Sequence, residues 1–417
     1  MMNSQSLYDQ RQQFFFPPSA TARGGMLFCM LAGVVTFIGG LYSGEAARTW
    51  GSYLFNLFFF FGIGLGGIVF AGMQDVISAK WGRPIIRLHE SFASFLPVAL
   101  GFFAVMFLCI LLKLGRANEL YPWIKDPSII QHFESKQIWS RPGFMAARDL
   151  FAVALIVLVS SWQLRQKLRP DLAMLSGDPA QAEKLGAAST AKLRYWTAPV
   201  LVIYALTFSL LAFDLAMSLS PTWYSTLWGG WSFAVMMQSL TASLLLFMYL
   251  VRGTPIGQLT KRQQFHDVGK MMHGFTVFFA YLTYAHILTI WYGNMPEETQ
   301  FFFVRLEQPW LSLLYVVFFL VFLVPLFTLL PKASKWTSGL AIPICCSILV
   351  AQWFVALLVV IPSIVEAGKW TMPWIEIGAF LGFLGVFLSC IFRFGRRYPM
   401  VAIGDPLLAE ALADGHH

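Results

Sequence analysis

Ten stretches of about twenty consecutive apolar residues divide this chain, and a helix needs about that length to cross a hydrocarbon layer of about 30 Å at 1.5 Å per residue. They fall at about 25–43, 51–73, 89–112, 146–164, 196–219, 229–251, 270–292, 309–330, 338–362 and 375–393. In lipid a backbone must satisfy its own polar groups, so runs of this kind fold as helices. Composition agrees: with 57% hydrophobic and 12% charged residues, a soluble globule could not clothe itself. The expectation is an all-α integral membrane protein with ten transmembrane helices, a membrane domain over 25–393, and tails at 1–24 and 394–417. The N-terminal residues lack the basic, apolar and small-residue succession of a signal peptide, so none is expected to be removed.

Orientation follows from the basic residues. With both termini inside, the inner segments hold 20 of the 29 Lys and Arg and the outer segments 9, which predicts cytoplasmic termini. The net charge of +8 then belongs to the inner face, beside anionic head groups of membrane lipid, and calls for no nucleic acid. The inner stretch 165–195 reads as the most soluble part of the chain, with a short capped helix in GDPAQAEKLGAA. The outer loop at 113–145, with Trp123 and Trp139, reads as an interface or docking surface.

Some motifs exclude more than they offer. Cys29, Cys109, Cys345, Cys346 and Cys390 all fall within predicted spans and form no CxxC or CxxCH, so they read as packing residues rather than ligands. The run GIGLGG at 62–67 formally fits a dinucleotide fingerprint, but FNLFFFF and IVFAG flank it. Close helix packing through small residues is the better account.

The chemistry lies in the few titratable groups within the spans. Asp214 sits in WTAPVLVIYALTFSLLAFDLAMSL, where an acid costs roughly 2.5–3.5 kcal/mol to insert and so needs a partner or a task. Thr207 and Ser218 share its helical stripe, which should face protein or water. Asp75, His89 and Glu90 could line one inner pocket, near a kink at Pro97, or be ordinary flanking charges at the head groups. Asp149 lies near the outer end of the fourth span, with Glu366 and Glu376 at the outer boundary as exit carboxylates or merely solvated groups. His273 and His286 share the seventh span but lie about 140° apart, so they serve different neighbours. Each histidine is either a satisfied packing donor or a station on a proton route. Gln238 should bond across to another helix, and Pro325 and Pro343 suggest further kinks.

FDLAMSLSPTWYSTLWGGW, followed by HDVGKMMHGFTVFFAYLTYAHILTIWYGNMPEETQFFFVR, resembles the F subunit of bacterial alternative complex III, a membrane protein of the NrfD or polysulfide-reductase-C type. The resemblance implies two four-helix bundles, helices 2–5 and 6–9, with helices 1 and 10 outside them, in a bacterial cytoplasmic membrane. The bundles would be parallel repeats that pair His89 with His273. It also implies a polypeptide without a cofactor of its own, not an enzyme by itself, within a quinol:cytochrome c oxidoreductase. Haem c would belong to the cytochrome c subunits and the clusters to an iron–sulfur subunit, while menaquinol or ubiquinol would be oxidised beside a second, NrfD-like subunit. Mapped onto this chain, a proton path would use Asp75, His89, Glu90 and His273 in its inner half and Asp214, His286, Asp149 and Glu366 in its outer half. Two alternatives stand beside it. Asp214 or His286 could accept protons from quinol held by this chain itself, or His89 and His273 could clamp a b-haem or serve an independent transporter.

Overall fold

The computed structural model describes residues 8–130, 134–370 and 372–413. Ten helices are long and apolar enough to span a membrane: α1 Ala20–Tyr42, α2 Ala46–Val76, α3 Arg83–Leu112, α4 Pro142–Leu175, α5 Pro179–Leu219, α6 Trp228–Leu250, α7 Arg262–Gly293, α8 Trp310–Thr328, α9 Ser338–Ser363 and α10 Trp374–Arg397. Among the described residues there is no strand, and the protein is an all-α integral membrane protein.

Packing divides the helices into two bundles, α2–α5 and α6–α9. α1 pairs with α10 outside them against α2 and α3. α2 and α6 touch across the centre, and α2 is buried along nearly its whole length. The glycine run explains how a helix so rich in Phe can be so enclosed. A Cβ on Gly64 would stand 3.1 Å from the Phe92 carbonyl, one on Gly67 would overlap the His89 carbonyl, and one on Gly66 would crowd Leu240 at 3.2 Å. The bare face of α2 therefore lets α3 approach on one side and α6 on the other. A glycine crossing of Gly33 on Gly382 joins α1 to α10 in the same way.

Both chain ends meet at one end of the molecule, where Phe16 N–H donates to Gly395 O and Met400 N–H to Phe14 O, each at 2.8 Å. The tails are thus partly built into the fold: Met400, Val401, Ala402 and Ile403 are buried. The stretch 165–195 is not a loop with a short helix. α4 runs to Leu175, Gly177 takes the left-handed conformation at φ +87°, and Asp178 caps the next helix by accepting Gln181 N–H at 2.8 Å, with Pro179 in its first turn. The capping signal is legible in the sequence but the length is not. A helix of 34 residues is about 51 Å long, so α4 and α5 project well past a core of about 30 Å, and their polar ends carry no hydropathy signal.

The loop after α3 also folds back onto the protein. Tyr121 and Trp123 are buried, their side chains donating to Leu215 O at 3.4 Å and Ser218 O at 3.1 Å, whereas Trp139 stays half exposed. In α8 the proline at 325 cannot bond the carbonyl four residues back. A π-helical turn at Phe318–Leu323 results, and Gln238 Nε2 fills the vacancy at Val321 O at 3.0 Å while Ser347 serves Leu320 O at 3.0 Å.

Candidate functional site

At the end carrying the termini, the first bundle closes over a network of charges. Arg83 and Arg87 at the start of α3 face Asp75 on α2 and Lys167 and Asp171 on α4. Lys167 Nζ bridges Asp75 Oδ2 at 2.7 Å and Glu90 Oε1 at 2.6 Å. Arg87 pairs with Glu90 and reaches Asp171 Oδ2 at 2.7 Å, and Arg83 joins Asp75 Oδ1 at 3.0 Å to Asp405 Oδ2 at 3.1 Å. The C-terminal segment lids the group, since Gly404 N–H also donates to Asp171 Oδ1 at 2.8 Å. A Cβ on Gly404 would lie 2.5 Å from the Pro170 backbone, so the segment could not sit this close with a side chain there. Three cations and four carboxylates share this space, around a cavity of about 30 Å³, enough for a water or two. Asp75 and Glu90 are therefore buried members of one network rather than charges at the head groups.

His89 stands beside this network with both nitrogens engaged: Nδ1 is 2.8 Å from Gly67 O and Nε2 is 3.4 Å from Gln74 Nε2. It locks α3 to α2, and a haem would have to break both contacts. From Lys167 a polar stripe continues up α4 through Gln163 and Ser160. Tyr204 on α5 donates to Gln163 Oε1 at 3.2 Å and lies 3.0 Å from Ser160 Oγ. Thr197 Oγ1 and Gln163 Nε2, both buried beside Gly72, have no partner. The spacing 160, 163, 167, 171 is one helical face and could have marked these residues, but its lower half lies in a stretch too polar to register as a span.

The opposite end of the same bundle holds the second cluster. Arg148 binds Asp214 Oδ2 through Nη2 at 2.7 Å and lies 3.7 Å from Asp149 Oδ1. Trp139 Nε1 donates to Asp214 Oδ1 at 2.8 Å, and its ring covers the guanidinium at 3.8 Å. Both Asp149 oxygens are buried without a conventional hydrogen-bond donor. Two carboxylates thus share one guanidinium in a sheltered site, a count that one proton would balance. Burial, with the two acids nearby, raises the phenol of Tyr121 well above its ordinary range. Asp214 does face protein as its stripe implied, but Thr207 and Ser218 spend their hydroxyls on their own helix, at Ile203 O and Asp214 O.

The structure does not bring the remaining candidates into either cluster. His273 lies on a half-exposed stripe of α7 in the second bundle, unlike the fully buried His89 that a repeat would pair with it. His286 is buried on the other face, its Nδ1 2.8 Å from Leu282 O and its ring among Trp223, Trp228 and Trp231. Its Nε2 and the Nε1 of Trp223 are buried without partners. Glu366 is exposed and paired with Lys369 at 2.8 Å, a solvated surface pair. Glu376 is neither solvated nor an exit group: it is fully buried and grips Arg48 at 2.7 and 2.9 Å, tying α10 to α2.

The middle of the second bundle is polar but uncharged. Gln352 donates to Gln238 at 2.5 Å, and Gln238 to Thr276 at 3.0 Å. At its far end Arg305, in the short helix Pro296–Leu306, has no carboxylate partner among the described residues. It donates instead to the carbonyls of Phe301, Leu358 and Val359 at 2.5, 2.8 and 2.7 Å and to Ser363 at 2.9 Å. Two of these are carbonyls that the end of α9 leaves free, so the guanidinium caps that helix. Burial pulls its pKa down to about 9, still cationic at neutral pH. Among the described residues no three His, Cys, Asp or Glu side chains are grouped to hold a metal ion. The chain matches no protein-family model and no curated protein.

Proposed function

We propose that this chain is a membrane subunit of the alternative complex III F type, a scaffold and proton conductor for a quinol:cytochrome c or similar oxidoreductase whose haem c and iron–sulfur clusters reside in partner subunits. The termini end would face the cytoplasm, in keeping with the basic bias. One observation carries the reading: a single four-helix bundle holds buried titratable clusters at both ends, with Gln163, Tyr204 and Ser160 extending the inner one toward mid-membrane. Hydroxyl and amide groups in hydrogen-bond contact can pass protons without leaving a lasting charge in hydrocarbon.

Between Asp149 and Ser160 α4 carries only apolar side chains. Ten residues lie between them, a separation of about 16 Å along the helix, and the inward-facing Val153 and Ile156 are fully buried. A proton conductor coupled to redox chemistry needs such a break. Each charge carried against 100 mV costs about 2.3 kcal/mol, and an unbroken wire would dissipate the gradient. Asp75, Glu90, Asp149 and Asp214 keep their proposed roles, while His89, His273, His286 and Glu366 do not join the chain of contacts. The test is the proton-to-electron ratio of the intact complex in liposomes. Tyr204→Phe and Asp214→Asn should each lower it while quinol oxidation and assembly persist; unchanged ratios in both would reduce these residues to packing.

A second reading, quinol binding by this chain, draws support from the partnerless His286 Nε2 and Trp223 Nε1, an acceptor and a donor in one aromatic cage. The neighbouring apolar cavity beside Trp228 and Trp231 has about 60 Å³, well short of the roughly 300 Å³ typical of a small-molecule site. It therefore ranks second. Loss of quinol oxidation in His286→Ala, with assembly intact, would reverse the order.

A further inference from the structure

The termini end of the second bundle carries a surplus of positive charge. Arg252, Lys261, Arg262, Lys270, Lys332 and Lys335 lie in the stretches 252–270 and 329–338, where Asp267 is the single acid. That acid is already taken, by Lys270 at 2.7 Å and Gln263 at 2.8 Å. Lys335 is the unusual member. It is only 4% exposed, its stem lies where a Cβ on Gly269 would be 2.7 Å from its Cγ, and the Tyr249 hydroxyl fixes its backbone by donating to its carbonyl at 2.8 Å. Among the described residues neither Lys335 nor Lys332 forms an ion pair. His266 and His273, each within electrostatic reach of Lys335, have buried Nδ1 atoms without partners. Phe327, Leu330 and Leu340, on the helix ends beside this site, are exposed apolar side chains.

The packed stem of Lys335 holds its ammonium at one place on the surface with no counter-charge among the described residues, whereas a flanking lysine that merely obeyed the orientation rule would extend its whole side chain into water. Clustered cations and an apolar margin together describe a ligand with an anionic head and a hydrocarbon body. We propose that Lys335, with Lys332 and Lys270 beside it, binds the phosphodiester head group of an acidic phospholipid whose acyl chains lie along Phe327, Leu330 and Leu340. The site is independent of the proton path, which belongs to the other bundle.

The test uses the full chain in nanodiscs of phosphatidylcholine with increasing phosphatidylglycerol, read by thermal unfolding and by native mass spectrometry of retained lipid. Phosphatidylglycerol should raise Tm and be retained, and each of Lys335→Met and Lys332→Gln should weaken its apparent affinity about fivefold, the effect of one lysine near an anionic surface. The exposed Lys332 makes its variant safe for folding, and Lys80→Gln, at the other bundle, should change nothing. Equal stabilisation by the two lipids overturns the proposal, as does full retention by Lys332→Gln. Displacement by millimolar inorganic phosphate would show a simple anion site instead, and salt-sensitive capture of a polypeptide in place of lipid would show a protein interface; either also overturns it.

Discussion

At the end that carries both termini, the two bundles treat basic residues in opposite ways. In the first, Arg83, Arg87 and Lys167 are each held by carboxylates from other segments, so every one of these cations is answered inside the protein. In the second, Lys335 is buried with no carboxylate among the described residues to cancel it. The far ends repeat the contrast. Arg148 meets Asp214, whereas Arg305, among the described residues, meets carbonyls, a serine hydroxyl and the face of the Phe301 ring. The difference teaches that burial of a cation is no guide to its role: the first bundle meets its buried cations with the protein's own carboxylates, and the second leaves its charge for dipoles and for the surrounding membrane to answer.

The sharpest way to break this comparison is to delete one buried cation from each bundle. Arg87→Met strands Asp171 and weakens the hold on Glu90, and should cost about 3–5 kcal/mol. Lys335→Met in detergent without acidic lipid should cost little, because it removes an uncompensated charge. Thermal unfolding of the two variants side by side decides it, and equal losses would erase the distinction. Arg305→Ala should cost less, about 1–3 kcal/mol, because it leaves neutral carbonyls rather than a charge without a partner. Hydrogen exchange should show the loss confined to the end of α9.

The smallest effect concerns pH. Burial, then Lys270 and Lys332, lower the pKa of Lys335 below its ordinary 10.5. The unfolded chain therefore holds this proton to higher pH than the folded one. Between the two pKa values the unfolded state binds more protons, so stability should rise as pH approaches 10.5. Lys335→Met should flatten that rise, and a slope unchanged by the substitution would refute it.

Parts of this are readable from residues alone. All ten spans fall within a few residues of expectation at their apolar cores, and the prolines and glycines do what their chemistry requires. Pro325 frees the Val321 carbonyl, and GIGLGG lets its neighbours close in. Asp75 and Glu90, which the sequence leaves either in one pocket or as flanking charges at the head groups, are brought into one buried network. Their partners are not foreseeable: Lys167 and Asp171 lie in a stretch too polar to register as membrane helix, and Asp405 in a tail whose sequence carries no signal of where it docks. The pairing of Asp149 with Asp214 was anticipated only as a shared half of the membrane, without Arg148 between them.

Hydropathy adds up locally along the chain, which is why ten apolar runs alone determined that this protein crosses a membrane ten times and that Asp214 could not be left facing lipid. Which charges cancel is a different kind of quantity. Asp75 finds Lys167 and Arg83 finds Asp405 only because distant helix ends and a returning tail meet at one end of one bundle, whereas Lys335 in the other bundle finds no such partner among the described residues. Electrostatic energy depends on distances in space, and those the tertiary structure alone decided.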